Sequence, residues 1–366
     1  MTTLNHVSTP TITNGRCHQD EISIFARRYT ENVRQKHQRL ASHLDPRKFS
    51  DHDHFCDHLK SLESITGHHS FLDEKLGGRG QAYRDGQKRH PLARAVGYRG
   101  LFDFIRQHPR GGLNPQALVN DVLGGSGTLA GASNMLLPYY EQPYFVTSDP
   151  NPSQVLEALN RGFPAVPQAA QATLLLSGAI DHAILAYGTH HIPRPDRPSA
   201  VAEVFRYLKP GGQIILQDFE EESPTARWYS EAIDQFSITG HKCDHFSTSE
   251  MRELLDDAGF TDVKVVLQYD AFIFEGSNPL IVRGQLLEHL MHMFGLVKLA
   301  RRVDESEADY HDRLDETLSP FATFSSSEVD FEPTAVPKFT LSQVKPGLWR
   351  AEFPRVALVA IGTKPL

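Results

Sequence analysis

Residues 119–127 read Val-Asn-Asp-Val-Leu-Gly-Gly-Ser-Gly, an acid between apolar residues that leads into a cluster of glycines. Residues 128–137 are compatible with a helix, so the stretch has the order strand, turn, helix. Glycines permit positive φ angles and leave no Cβ between the backbone and a ligand. The N–H groups at the start of the following helix favour polar or anionic ligand groups. The stretch therefore predicts a ligand-binding turn at the end of a strand.

A second strand further along the chain ends in an acid. Residues 145–149 read Phe-Val-Thr-Ser-Asp, and an acid at such a strand end can bind both hydroxyls of a ribose. The glycine turn and Asp149 together indicate a cofactor that contains a nucleoside.

Two later motifs extend the pattern. Residues 187–192 read Tyr-Gly-Thr-His-His-Ile, and residues 208–212, Leu-Lys-Pro-Gly-Gly, lead into an apolar strand. In this order the motifs resemble those of the class I S-adenosylmethionine-dependent methyltransferases, over roughly residues 118–274. The resemblance implies S-adenosylmethionine as the cofactor. It also implies an α/β, Rossmann-like, doubly wound sheet of seven strands with the last strand antiparallel.

The resemblance also implies roles for individual residues. The positions that match cofactor-binding residues of the family are Asp121, Gly124, Gly125, Gly127, Asp149 and Tyr187. The sequence departs from the family pattern at two places. Leu123 stands where the family has its first glycine, and residues 167–171, Pro-Gln-Ala-Ala-Gln, lack the acid that contacts the adenine amine in the family. Gln168 or Gln171 is an alternative contact for the adenine.

The strand and helix patterns divide the chain into five parts. Apolar stripes at helical spacing come before the glycine turn, alternating strands and helices follow it, and residues 355–361 read as a buried strand. We expect a disordered tail (1–20), an N-terminal helical subdomain (21–112), a cofactor-binding core (113–278), a helical insertion that acts as a lid or dimer element (279–345) and the final core strand (346–366).

Composition narrows the class of function. The net charge is −8 and the sequence has no dense basic block, which argues against nucleic acid as a partner. The three cysteines, Cys17, Cys56 and Cys243, are far apart, as expected for free thiols in a reducing compartment. The sequence has no signal-peptide pattern and no apolar run of membrane-spanning length. We expect a cytoplasmic enzyme that acts on a small molecule and has no membrane partner. The sequence is also compatible with a homodimer.

Histidines are unusually frequent, at 19 residues, with pairs at residues 68–69 and 190–191. Residues 240–246 read Gly-His-Lys-Cys-Asp-His-Phe and precede a helix-capping pattern. Ligands of open α/β sheets bind beyond the carboxyl ends of the strands, where we expect these segments to lie. Histidine suits proton transfer near neutral pH, so the candidate catalytic bases are His191, His241 and His245.

A metal is the alternative role for these side chains. His190, His191, His241, Asp244 and His245 offer nitrogen and oxygen ligands for ferrous iron or zinc. Their spacing fits no compact metal motif, so no metal is expected.

The sequence therefore predicts an S-adenosylmethionine-dependent methyltransferase of specialised metabolism. The clustered histidines favour methylation of carbon on an aromatic ring or enol, with oxygen next. Two alternatives keep the fold: a non-methylating cyclisation or rearrangement, and a non-catalytic partner subunit.

Overall fold

The computed structural model describes residues 15–66, 80–110 and 112–366. Most of the predicted disordered tail and the pair at residues 68–69 therefore lie outside the described residues. The first helix, α1 (Gly15–Lys36), begins within the segment assigned to that tail. A helix extends readily beyond its packed part once it has nucleated, which explains why it starts before Ile22, the first buried residue among those whose burial is described.

Six helices of the described residues precede the first strand. They are α1, α2 (Gln38–Ala41), α3 (Pro46–Phe49), α4 (His52–Thr66), α5 (Gly80–Arg89) and α6 (Ala95–Arg106). On α1 the buried residues Ala26, Tyr29 and Val33 follow helical spacing and form one apolar face. The Tyr29 hydroxyl donates to the carbonyl of Ala165 at 2.8 Å, in the strand β3 of the sheet described next. The N-terminal helices therefore share a core with the sheet.

The central sheet has seven strands in the order β3-β2-β1-β4-β5-β10-β6. Its members are β1 (Leu118–Val122), β2 (Tyr144–Asp149), β3 (Ala165–Pro167), β4 (Ile180–Leu185), β5 (Leu208–Asp218), β6 (Thr261–Tyr269) and β10 (Val356–Thr363). The pairs among β1 to β5 are parallel, and β10 runs antiparallel to both β5 and β6. The predicted doubly wound sheet with an antiparallel last strand is confirmed.

Helices connect the strands of this sheet. They are α7 (Thr128–Leu136), α8 (Pro152–Asn160), α9 (Arg197–Tyr207), α10 (Pro224–Arg227), α11 (Asp234–Phe236) and α12 (Thr248–Asp257), with a π-helical turn (Trp228–Ile233) between α10 and α11. The strand order reverses between β1 and β4, because β2 follows β1 on one side while β5 follows β4 on the other. The crevice at the carboxyl ends of these two strands is where open α/β sheets bind ligands.

The late part of the chain contains a second sheet as well as helices. The helices are α13 (Pro279–Phe294) and α14 (Glu307–Leu318). The antiparallel sheet has the order β7-β9-β8, formed by β7 (Phe272–Gly276), β8 (Thr340–Lys345) and β9 (Leu348–Phe353). The sequence predicted only helices for residues 279–345 and assigned β9 to the final core strand. Strand β8 is mostly exposed, so it lacks the apolar pattern that reveals a buried strand.

Two further predictions can be compared with the described residues. None of their helices has the length and apolar character needed to cross a membrane. Cys56 and Cys243 carry free thiols, and the side chain of Cys17 lies outside the described residues.

Candidate active site

The glycine turn lies at the carboxyl end of β1 and has the backbone geometry that its sequence predicts. Gly125 and Gly127 have φ angles of 57° and 82°. Leu123, at the position where glycine was expected, also has a positive φ of 60°. A left-handed conformation costs a non-glycine residue about 1–2 kcal/mol. Leu123 therefore adopts the backbone conformation expected of a glycine at this position, and this conformation costs free energy.

The three glycines are needed for different reasons. A Cβ on Gly124 would collide with the Asp121 carboxyl group, and one on Gly127 would lie 2.7 Å from the Phe163 ring. A Cβ on Gly125 would have Oε1 of Gln154 as its nearest neighbour, at 3.6 Å. Gly124 and Gly125 line a large cavity, whereas Gly127 is the N-cap of α7 and does not line it. Gly125 is therefore the position where the backbone faces open space.

Two acids lie beneath this turn and line the cavity. The Asp149 carboxyl group accepts from the backbone N–H of Gly125 at 3.1 Å and of Asn151 at 2.8 Å. Burial raises the pKa of Asp149 to about 6, against the effect of these hydrogen bonds. Burial also raises the pKa of Asp121 to about 8, and the nearby Asp149 adds to the shift. Oδ2 of Asp121 is buried without a hydrogen bond inside the described part of the chain. Asp121 is thus ready to pair with a cationic group that enters the cavity.

A second part of the lining of the same cavity, the histidine wall, is aromatic and rich in histidine. His190, His191 and His241 line it with Tyr229, which belongs to the π-helical turn. The ring centres of His190 and His241 are 5.1 Å apart, and those of His191 and His241 are 5.2 Å apart. Tyr187, at the end of β4, has a positive φ of 62° and lines the cavity too. The structure therefore brings the glycine turn and two of the three predicted bases to one cavity.

Asp218, the last residue of β5, binds two of the histidines. Its buried carboxylate accepts from Nδ1 of His190 at 2.9 Å and from Nδ1 of His245 at 3.2 Å. It also accepts from the backbone N–H groups of His190 and Phe219, each at 2.8 Å. Burial alone would raise the pKa of Asp218, but the charge and hydrogen bonds of the two histidines hold it below its ordinary value. An anionic Asp218 requires Nδ1–H in both rings, which leaves Nε2 as the basic nitrogen.

The third predicted base, His245, is buried and does not line the cavity. Its side chain bonds to Asp218 and its ring centre lies 5.6 Å from that of Tyr229, so it acts on the site from behind the cavity lining. His190 has the cavity position instead, although the sequence offered it only as a metal ligand. Asp218 was also missed; its place at the end of β5 was a usable signal, because the carboxyl ends of parallel strands surround the ligand site.

Two sets of side chains in the described residues have donor atoms within 4.8 Å of one another: His190 with His241 and Cys243, and His190 with Asp218 and His245. The metal alternative drawn from the sequence included His191 and Asp244, which belong to neither set. Cys243 and Asp218 take their places.

The fold places the two glutamines that are candidate adenine contacts in different environments. Gln168 is buried and donates to the Ser148 hydroxyl at 2.7 Å, while its carbonyl accepts from the Leu174 N–H at 2.7 Å. Gln171 lines the cavity beside Ala169 and Ala170. Of the two glutamines, only Gln171 is placed to contact a ligand there.

Comparisons with known proteins agree with this geometry. Residues 121–265 match a family model described as a methyltransferase domain. The ubiquinone/menaquinone biosynthesis C-methyltransferase of a Marinomonas species is 23% identical over 176 residues, which cover 45% of this chain and 68% of that protein. Phosphoethanolamine N-methyltransferase 1 of Arabidopsis thaliana is 32% identical over 80 residues, or 21% of this chain, and the match spans only 15% of that protein.

Solved structures match this chain at low identity and with low TM-scores. Phosphoethanolamine N-methyltransferase 2 of Haemonchus contortus, solved with phosphomonomethylethanolamine and S-adenosylhomocysteine, is 13% identical with a TM-score of 0.44 and covers 83% of this chain and 60% of that one. The match over residues 121–265 and the order of the strands in the sheet both agree with the methyltransferase fold that the sequence resembles.

Proposed function

We propose that this protein methylates a small-molecule acceptor, with S-adenosylmethionine as the methyl donor. The observation that carries the proposal is a cavity that is lined both by the glycine turn and by three histidines. The buried Oδ2 of Asp121 and the open space at Gly125 fit a cofactor that carries positive charge and passes close to the backbone.

The residues at the turn have separate roles in this proposal. Gly124 and Gly125 allow close approach of the methionine part, Asp121 balances its positive charge, and Asp149 binds the ribose hydroxyls. Gln171 is the candidate adenine contact. Gly127 holds the start of α7 and supports the site indirectly. When bound, the cofactor supplies an electrophilic methyl group.

The histidine wall supports an acceptor that must lose a proton. We infer that His190, His191 or His241 accepts that proton, and that Asp218 and His245 hold His190 in the required tautomer. A base of this kind suits carbon next to a phenol or carbonyl group, and a hydroxyl oxygen is the second choice. The N-terminal helices and the late segment enclose the cavity, as expected for an enzyme of specialised metabolism.

Calorimetric titration with S-adenosylhomocysteine tests the cofactor site. Gly125→Val should abolish binding while the protein stays folded, because the added side chain enters the cavity. Gly178→Val is the matched control, since Gly178 also has a positive φ, 64°, with open surroundings, and does not line the cavity. Asp149→Ala should lose about 1.5–3 kcal/mol of charge-assisted hydrogen bonding, a roughly tenfold to hundredfold weaker affinity. Unchanged affinity in both site variants would contradict the assignment.

Mass spectrometry of products from a panel of phenols, enols and ketoacids tests the reaction. A product heavier by one methyl group supports methyl transfer, and its fragmentation separates carbon from oxygen methylation. A product of unchanged mass would support the cyclisation alternative. A chain that does not bind the cofactor would support the partner-subunit alternative.

A further inference from the structure

Arg94 is a buried cation in the wall of the cavity. It precedes α6, is 3% exposed, and lines the cavity. Its guanidinium carbon lies 4.9 Å from the ring centre of Tyr187 and 5.0 Å from that of Phe272. Its polar contact in the described part of the chain is a weak one, from Nη2 to Sδ of Met293 at 3.8 Å. Nε is buried without any hydrogen bond to the described residues.

No carboxylate in the described residues forms an ion pair with Arg94. The acid nearby is Asp270, whose buried carboxyl group already pairs with Arg355 and accepts from the Tyr187 hydroxyl at 3.2 Å. Burial raises the pKa of Asp270, while the charges of Arg355 and Arg94 oppose that shift. An arginine stays protonated in a protein, so two guanidinium groups face one carboxylate. With Asp270 ionised, these three side chains carry one surplus positive charge, and Arg94 is the one of them that lines the cavity.

Ring faces attract a guanidinium but do not replace its hydrogen-bond acceptors. Buried charges in proteins are normally paired and hydrogen-bonded, so an arginine left without acceptors points to a ligand that supplies them. A guanidinium binds carboxylate and phosphate with two parallel hydrogen bonds.

Two contacts of Arg94 lie on the acceptor side of the cavity, and the third, Tyr187, is a predicted cofactor contact. Phe272 belongs to β7 and Met293 to α13, and both are part of the late segment rather than the glycine turn. Phe294, which follows Met293, lines the cavity beside Tyr229 and His241. An anion bound at Arg94 therefore lies near the histidine wall.

We propose that Arg94 binds an anionic oxygen group, a carboxylate or a phosphate, on the methyl acceptor. This inference rests on the proposed function and adds the substrate class: an acidic small molecule with an aromatic or enol carbon. The same chemistry could be supplied by the carboxylate of the cofactor's methionine part, so the experiment separates the two sources.

The experiment titrates carboxylate and phosphate probes into protein saturated with S-adenosylhomocysteine. The probes are phenylpyruvate, 4-hydroxybenzoate and phenyl phosphate, with 4-hydroxybenzamide as the neutral match. At least one anionic probe should bind about tenfold or more tighter than the amide. Arg94→Met should abolish that difference, and Arg94→Lys should keep part of it. Arg84→Met is the control, because Arg84 lines the same cavity but already donates to Gln81 at 2.6 Å.

Each alternative has a distinct outcome. If Arg94 binds the cofactor instead, Arg94→Met weakens S-adenosylhomocysteine about tenfold or more but not 5′-methylthioadenosine, which lacks the carboxylate, and the proposal is overturned. Equal affinity for anionic and neutral probes, or binding of neither, also overturns it. A purely structural arginine predicts a lower melting temperature for Arg94→Met with probe selectivity intact. Wild-type protein that fails to bind S-adenosylhomocysteine contradicts the proposed function separately.

Discussion

At the scale of single residues, Asp218 determines which histidine nitrogens are basic. It takes Nδ1–H from both His190 and His245 and so leaves Nε2 of each ring as the acceptor. The sequence predicted a histidine cluster because its members follow strand ends. It could not rank them, because the ranking depends on one carboxylate that lies far from residues 240–246 in sequence. No sequence pattern singled out Arg94, because its proposed role rests on the lack of an ion-pair partner among the described residues.

The histidine wall should act through proton transfer. His190→Ala, His191→Ala or His241→Ala should lower turnover about 10²-fold or more for at least one position, the usual effect of losing a general base. Affinity for S-adenosylhomocysteine should change little, and His245→Ala should shift the pH profile of turnover through Asp218. His292→Ala, an exposed histidine outside the cavity, is the control.

Chelator treatment belongs to the same test, and activity should survive it. Activity that disappears on chelation and returns with ferrous iron or zinc would instead favour a metal held by one of the two donor sets. Full turnover in every histidine variant would mean that the cluster is structural.

The raised pKa of Asp121, about 8, should make cofactor binding depend on pH. At pH 7 this carboxyl group is largely protonated, whereas Asp149, with a pKa of about 6, is largely ionised. A cationic ligand beside Asp121 favours the carboxylate, so binding releases a proton. S-adenosylmethionine affinity should therefore rise with pH from about 6.5 to 8, by at most about tenfold per unit for one proton.

Titration calorimetry in phosphate and Tris buffers measures that proton release. Asp121→Asn should remove it, and any titration of the ligand itself will remain in this variant. A dissociation constant that does not change with pH in the wild type would show that Asp121 is ionised at neutral pH or lies away from the positive charge.

At the scale of elements, the sequence predicted the helices and strands whose residue pattern reflects the burial of their side chains. Strand β1 and its glycine turn could be recognised because all five strand residues are buried and the turn needs glycine. The sheet formed by β7, β8 and β9 could not, because β8 is exposed and β7 pairs with β9 from a distant part of the chain, which leaves no local pattern. Ser247 does accept from the Glu250 N–H as a helix cap, but the Glu250 side chain pairs with arginines instead of completing the capping box.

The junction of the glycine turn and α7 should tolerate no side chain at Gly127. Gly127→Ala combines a positive φ of 82° with a Cβ 2.7 Å from Phe163. Gly162→Ala has the same backbone problem, φ 85°, in open space. The Gly162 variant should lose about 1–2 kcal/mol of unfolding free energy, the cost of a left-handed residue, and the Gly127 variant clearly more. Chemical denaturation measures both values, and equal losses would show that Phe163 moves aside freely.

At the scale of the whole molecule, distant parts of the chain build one cavity. Helix α5, before the core, packs on α13 in the late segment, where a Cβ on Gly86 would lie 3.4 Å from Met293. The sequence predicted an insertion that acts as a lid or a dimer element. Three predictions stay predictions: the division into five parts, the homodimer and the cytoplasmic location. Light scattering in solution would measure the oligomeric state.

The position of β10 has a consequence for how this protein is made in the cell. It lies between β5 and β6 in the sheet but is translated after both of them. Until it emerges from the ribosome, the edges of β5 and β6 lack their shared neighbour. Unpaired strand edges are templates for aggregation between nascent chains. Chaperone demand should therefore be greatest late in synthesis, and truncation before Val356 should yield insoluble protein even though the proposed cofactor contacts all precede that residue.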